Sequence, residues 1–218
     1  RDTENEDFRV ILTTNFKISV APLFFTFDNK GLYVSSNRNR DKAAIYRFDV
    51  DSAEETELVF EHDDVDVSGL MYSRLRKVLT GVNYETAKRE FVFFDSWRQT
   101  LQADLESQLP GYQVSLASLS KNETKAIVLA NSDRSRGTYY RYDIETKQLD
   151  KLADVSPWLK AEHMAEMTPI QYKSRDGLTI HGYLTLPVGV EAKNLPVVVN
   201  PHGGPWARDH WGYKSEIQ

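Results

Sequence analysis

The sequence predicts a mainly β protein: blades of a partial β-propeller, followed by the first strands of a second domain. Two observations carry that expectation. The first is an internal repeat. Asn37-Arg38 through Ile45-Tyr46-Arg47-Phe48-Asp49-Val50 aligns without a gap with Asn131-Ser132 through Tyr139-Tyr140-Arg141-Tyr142-Asp143-Ile144, at an offset of 94 residues. Between them lie Val78-Leu79-Thr80-Gly81-Val82 and Phe91-Val92-Phe93-Phe94-Asp95, 46 residues after the first copy and 48 before the last. That period matches the ~40–50 residues of propeller blades. A plain antiparallel meander with chance similarity is the alternative. Spacing, aromatic placement and the terminal Asp recur together, which favours blades. The second observation is a change of pattern after Asp150, ending in a β-branched run that breaks into a glycine loop.

Taken in order, the repeats hold β-prone runs at Leu32-Tyr33-Val34-Ser35 and at Ala126 to Ala130. Turn residues precede each, Asp28-Asn29-Lys30-Gly31 and Lys121-Asn122-Glu123-Thr124. Residues 1–155 should therefore form about three four-stranded blades, with Tyr46, Phe93 and Tyr140 at equivalent places. One helix interrupts them. Trp97, Leu101, Leu105 and Leu109 recur every fourth residue, Asp95 or Ser96 can cap the start, and Pro110-Gly111 ends it. Ser156-Pro157 reads as the start of a helical connector over 156–168. From 169 the chain reads as a hairpin: Ile170 to Ser174, a turn at Arg175-Asp176-Gly177, and Leu178 to Leu186. A third strand, Val197 to Asn200, then feeds Pro201-His202-Gly203-Gly204-Pro205-Trp206.

Composition narrows the classes. The chain has 218 residues, a net charge of −5 and no strongly basic stretch, which argues against nucleic acid or an anionic membrane as a partner. No apolar run approaches the roughly 20 residues that span a bilayer. Arg1-Asp2-Thr3-Glu4-Asn5-Glu6-Asp7 is too polar for a secretion signal, although one could stand upstream, so the compartment is left open. With no cysteine, the chain holds no disulfide, zinc-thiolate site or cysteine nucleophile.

The chemistry is concentrated at the glycine loop. Adjacent glycines let a ligand approach the main chain closely. A strand leading into an HGGG-type loop is how an α/β-hydrolase builds part of its oxyanion hole. His202, Gly203 and Gly204 are thus the candidate catalytic residues, as donors to a developing oxyanion within the 202–205 loop. No G-x-S-x-G nucleophile pattern occurs; Ser68 before Gly69 lacks its flanks.

Blades, a connector, Arg-Asp-Gly-Leu-Thr-Ile-His-Gly-Tyr-Leu-Thr-Leu-Pro at 175–187 and Pro-His-Gly-Gly-Pro-Trp-Ala-Arg-Asp at 201–209 together resemble the prolyl oligopeptidase family of serine peptidases. The similarity is greatest to its acylaminoacyl-peptidase and dipeptidyl-peptidase-like members, and is stronger from about 156 onward than across the blades. It implies that 169–218 is the start of an α/β-hydrolase domain, truncated before a Ser-Asp-His triad that would lie beyond Gln218. It implies a peptide substrate, access restricted by the propeller, an acyl-enzyme mechanism, and neither cofactor nor metal. Many relatives carry an aromatic residue or His at the place of His202, which leaves open whether its ring or a nearby backbone N–H donates. An esterase on the same scaffold and a non-catalytic propeller binding module are the alternatives. The 218-residue chain alone should be inactive. Its strand at Val197–Val199 calls for neighbours on both sides, so 169–218 should pack on another copy or partner, which leaves a homo-oligomer open.

Other polar residues have plainer roles. His181 reads as a half-buried sheet residue. Glu61-His62-Asp63-Asp64-Val65-Asp66 lacks the Gly and distal Glu of a calcium loop and reads as a solvated turn. Asn122-Glu123-Thr124 fits a glycosylation pattern that matters only in a secretory setting. Arg38, Arg40, Arg134 and Arg136 fall at corresponding blade turns, where they either stand in solvent or bind a peptide carboxylate.

Overall fold

The computed structural model describes residues 5–204 and 206–218, and the chain divides into two compact units, residues 1–98 and 99–218. Unit one holds two antiparallel sheets. The first is a meander of β1 (Val20–Phe25), β2 (Leu32–Ser36), β3 (Ala44–Asp49) and β4 (Glu54–Phe60), with neighbours in sequence adjacent in space. The second has β5 (Val67–Ser73), β6 (Val78–Glu85) and β7 (Arg89–Phe93). Ile45, Val67 and Val82 are fully buried where the two sheets meet, with Leu23, Val59, Phe60, Leu70, Tyr84 and Val92 packed around them. Polar groups complete the joint: the Val67 N–H donates to the Ala43 carbonyl at 2.8 Å, and the Ser35 hydroxyl to the Val67 carbonyl at 2.9 Å.

The helix expected from the leucine spacing is α1 (Ser96–Gln108). Asp95 caps it, accepting the Arg98 backbone N–H at 2.8 Å. The same carboxylate receives Arg76 through two bonds, at 2.7 and 3.1 Å, and the guanidinium lies 4.5 Å over the Trp97 ring. Arg76, then the capped backbone, holds the Asp95 carboxyl below the usual carboxylate range.

In unit two, Leu101, Leu105 and Leu109 are buried, and the Gln102 side chain donates to the Val114 carbonyl at 2.9 Å. The third sheet is β8 (Gln113–Leu119), β9 (Lys125–Ser132), β10 (Ser135–Asp143) and β11 (Gln148–Asp154), again a meander. Tyr142 is buried on β10 and donates its hydroxyl to Asp104 of α1. Burial, then that carboxylate, raises the Tyr142 hydroxyl well above its ordinary value. The chain is therefore mainly β, with propeller-type sheets that are not closed.

Register refines the repeat. Val34, Val82 and Val128 are all fully buried on second strands, and they pair with Tyr46, Val92 and Tyr140. Val92, rather than Phe93, thus occupies the place of the two tyrosines. The middle unit also differs from the expected four strands. It has three, and the chain after β7 enters α1, because the Asp95 cap starts a helix where the other units turn into a fourth strand.

Past β11 the structure departs from three expectations. The connector over 156–168 is not helical: it holds a single 3-10 turn at Ala161–His163. Ser156 does not cap a helix, because its buried hydroxyl accepts Arg136 Nη1 at 3.2 Å, and Ala165 and Met167 give their N–H groups to side chains far away in sequence. The hairpin does form, from β12 (Met167–Lys173) and β13 (Thr179–Thr185) around a turn at Gly177, φ +88°. The third strand at 197–200 does not. Those residues are extended coil with Val197, Val198 and Val199 at least 82 % exposed. A strand needs a partner for its N–H and C=O groups, and neither β12 nor β13 pairs with this run.

The last residues pack on their own unit, contrary to the expectation that all of 169–218 would need another chain. Met167 is clamped at both backbone groups. Its N–H donates to Asp133 Oδ2 and its carbonyl accepts Trp211 Nε1, each at 2.7 Å. The Tyr213 N–H reaches the Ser132 carbonyl at 3.0 Å, and the Gln218 amide bridges Asp133 and Ala165.

Asp133→Ala should therefore leave a buried N–H without a partner, a loss of about 1–3 kcal/mol. Hydrogen exchange would show it as rapid exchange at Met167 and Tyr213 while β8–β11 stay protected; unchanged protection at Met167 would refute the clamp. A second outcome concerns Asp143. Lys125 Nζ at 2.6 Å, then the Thr146 N–H at 3.1 Å, lower its carboxyl to about 2. Its contribution to stability is complete above the ordinary carboxylate value of ~4 and is lost as pH falls through about 2. A carboxyl NMR titration should find that low midpoint, and Lys125→Ala should raise it.

Candidate functional site

The predicted site is the loop after the exposed 196–200 run. His202, Gly203 and Gly204 are all exposed, and Pro205 lies outside the described residues, as do residues 1–4. His202 Nδ1 is 2.7 Å from the Gly203 carbonyl oxygen. A carbonyl only accepts, so Nδ1 carries the hydrogen in this contact, and in the neutral ring Nε2 is then an acceptor. The imidazole thus braces the loop and, while neutral, has no second N–H to offer. The backbone offers what the ring does not. The N–H groups of Gly203 and Gly204 make no hydrogen bond among the described residues. Gly204 has φ +152°, a conformation that disfavours a side chain. At Gly203 an added Cβ would meet nothing within 4 Å. Both N–H groups are thus left without an acceptor among the described residues.

The other singled-out residues are accounted for differently. His181 lies on β13 opposite Gln171 and is exposed rather than half-buried. In the acidic stretch, Glu61 pairs with Arg40 at 2.6 Å, His62 Nδ1 accepts the Asp64 N–H, and Asp66 accepts the Ala43 N–H at 2.7 Å. No cluster able to hold a metal occurs among the described residues. Asn122 accepts the Ser120 and Thr124 hydroxyls and so shapes its own turn.

Of the four blade-turn arginines, three have acidic partners: Arg38 with Glu54 at 3.1 Å, Arg40 with Glu61, and Arg134 with Glu166 at 3.8 Å. Arg136 lines a cavity. This cleft of about 270 Å³ lies between the β9–β10 turn and residues 210–214. Sequence reasoning missed it, because its two walls are about 75 residues apart and neither carries a motif. The one available signal was Trp211, a large aromatic in a polar tail.

No protein-family model matches the chain. It is 32% identical over 213 residues to dipeptidyl aminopeptidase BIII of Pseudoxanthomonas mexicana, a match covering 94% of this chain and 30% of that protein. It is 22% identical to dipeptidyl peptidase family member 6 of Caenorhabditis elegans, over 90% of this chain and again 30% of the relative. The chain thus spans under a third of the length of these relatives. Among solved structures, a prolyl endopeptidase matches with TM-score 0.56 and 17% identity, covering 86% of this chain and 27% of that one. A puromycin hydrolase matches with TM-score 0.54 and 18% identity, covering 84% and 28%. Prolyl oligopeptidase B from Galerina marginata gives 0.53 and 15%, covering 87% and 27%. Along nearly its whole length, in sequence and in fold, the chain is similar to a segment of the prolyl oligopeptidase family of peptidases.

Proposed function

We propose that this chain is the propeller-to-hydrolase segment of a serine peptidase that cleaves short peptides through an acyl-enzyme. Residues 1–155 are the propeller part that restricts access, and 169–218 begin the catalytic domain. The observation that carries this proposal is the pair of unengaged N–H groups at Gly203 and Gly204, in a loop whose neighbouring sequence resembles the oxyanion-forming loop of such enzymes. When a nucleophile attacks a peptide carbonyl, negative charge gathers on its oxygen. Fixed backbone donors lower that barrier because they need no reorganisation as the charge forms. The His202 ring, holding the Gly203 carbonyl, keeps the peptide plane from turning. It acts as a positioning group and the backbone as the donor. The nucleophile, its base and its acid lie outside this chain, so catalysis is a property of the whole protein.

The test uses the complete protein and a short peptide nitroanilide. A Cβ at Gly203 would meet nothing within 4 Å, so the fold should survive Gly203→Val. By crowding the approach to the loop's N–H groups it should nevertheless cut kcat by about 10²–10³-fold with a smaller change in KM, the signature of an interaction made in the transition state. His202→Ala, which removes the brace and leaves the donors, should cost less. Undiminished kcat in Gly203→Val would overturn the assignment. The 218-residue chain alone should show no turnover, and phosphonate-sensitive turnover would reveal a nucleophile within it.

A further inference from the structure

We propose that the cleft formed by Asn131, Ser135, Arg136, Tyr213 and Lys214 is a carboxylate-binding site. Arg136 supplies the charge. Its Nη1 donates to the Ser156 hydroxyl at 3.2 Å, and it has no acidic partner among the described residues. Its neighbours do: Arg134 pairs with Glu166 and Arg141 with Asp150, the latter at 2.5 Å. The Arg136 side chain is thus a guanidinium with an open edge beside a cavity. That edge matches the two oxygens of a carboxylate.

Neutral donors surround it. The Ser135 hydroxyl accepts the Gly137 N–H at 3.2 Å and keeps its own hydrogen to give. The Asn131 amide and the Tyr213 hydroxyl make no hydrogen bond among the described residues. The nearby acids are already engaged: Asp133 by the Met167 N–H, and Asp209 by Lys214. With Lys214 so neutralised, Arg136 leaves one net positive charge beside several donors and the His210 imidazole, which also lines the cleft. A monoanion balances that set, whereas a phosphate dianion would be left half-compensated. At about 270 Å³ the space accommodates a carboxylate and little more than the residue bearing it.

The carboxylate of a peptide has two sources, its C-terminus and an acidic side chain. That the ligand is a peptide rests on the peptidase proposal; that the cleft takes a carboxylate does not. Binding is therefore read without turnover, by NMR on the 218-residue chain. The probes are N-acetyl-dialanine, its C-terminal amide, and N-acetyl-glutamate amide. Saturable shifts at Ser135, Arg136 and Lys214 with either acid, and none with the amide of dialanine, support the site; which acid binds tells the source. Arg136→Gln should weaken binding by about tenfold, while Arg134→Gln, two residues away and already paired, should leave it unchanged. Equal shifts with dialanine acid and amide, no shift with either acid, or undiminished binding in Arg136→Gln would overturn the proposal. Loss of peptidase activity in Gly203→Val with no carboxylate binding, or the reverse, separates the two proposals.

Discussion

Both backbone polar groups of Met167 are taken by side chains distant in sequence, its N–H by Asp133 and its carbonyl by Trp211. All three residues are buried. A buried N–H or C=O without a partner is costly, so this arrangement ties two chain reversals to one point. Asp133 sits in the two-residue turn between β9 and β10, and Trp211 belongs to the tail. The third sheet, the start of β12 and the last residues thereby become one compact unit. The cleft follows from the same clamp. Trp211 anchored on Met167, and Tyr213 on Ser132, set the tail beside Asn131, Ser135 and Arg136.

The glycine loop depends on no such clamp. Its preceding valines are exposed and unpaired, and the loop is braced only within itself, by His202 on Gly203. Exposed valines in a row are unusual on a free surface and suit burial by further sheet and helix. The site is therefore ordered locally by chain chemistry, whereas its setting depends on what covers the 195–200 run.

Ion pairs decorate both units without deciding them. Lys125 with Asp143 and Arg141 with Asp150 join neighbouring strands at the surface, where each contributes little. Arg76 with Asp95 differs. It is bidentate, stacked on Trp97 and combined with a helix cap, so it fixes where the middle sheet ends and α1 begins.

What the sequence determined by itself was local in origin. The repeat of β-prone runs set the sheets, Asp95 and the leucines set α1, and Arg175-Asp176-Gly177 set the hairpin turn, because each signal acts within a few residues. The glycine pair after a β-branched run likewise marked the loop. Only tertiary structure decided the rest. Ser156 looked like a cap until Arg136 claimed its hydroxyl, so the connector never became a helix. Val197–Val199 have strand chemistry, yet a strand exists only where a second backbone pairs with it. Val92, not Phe93, is the equivalent of Tyr46 and Tyr140, since register is fixed by partners across the sheet. The cleft at Arg136 depends on contacts some 75 residues apart in sequence. Such contacts form through packing, which no short-range pattern encodes.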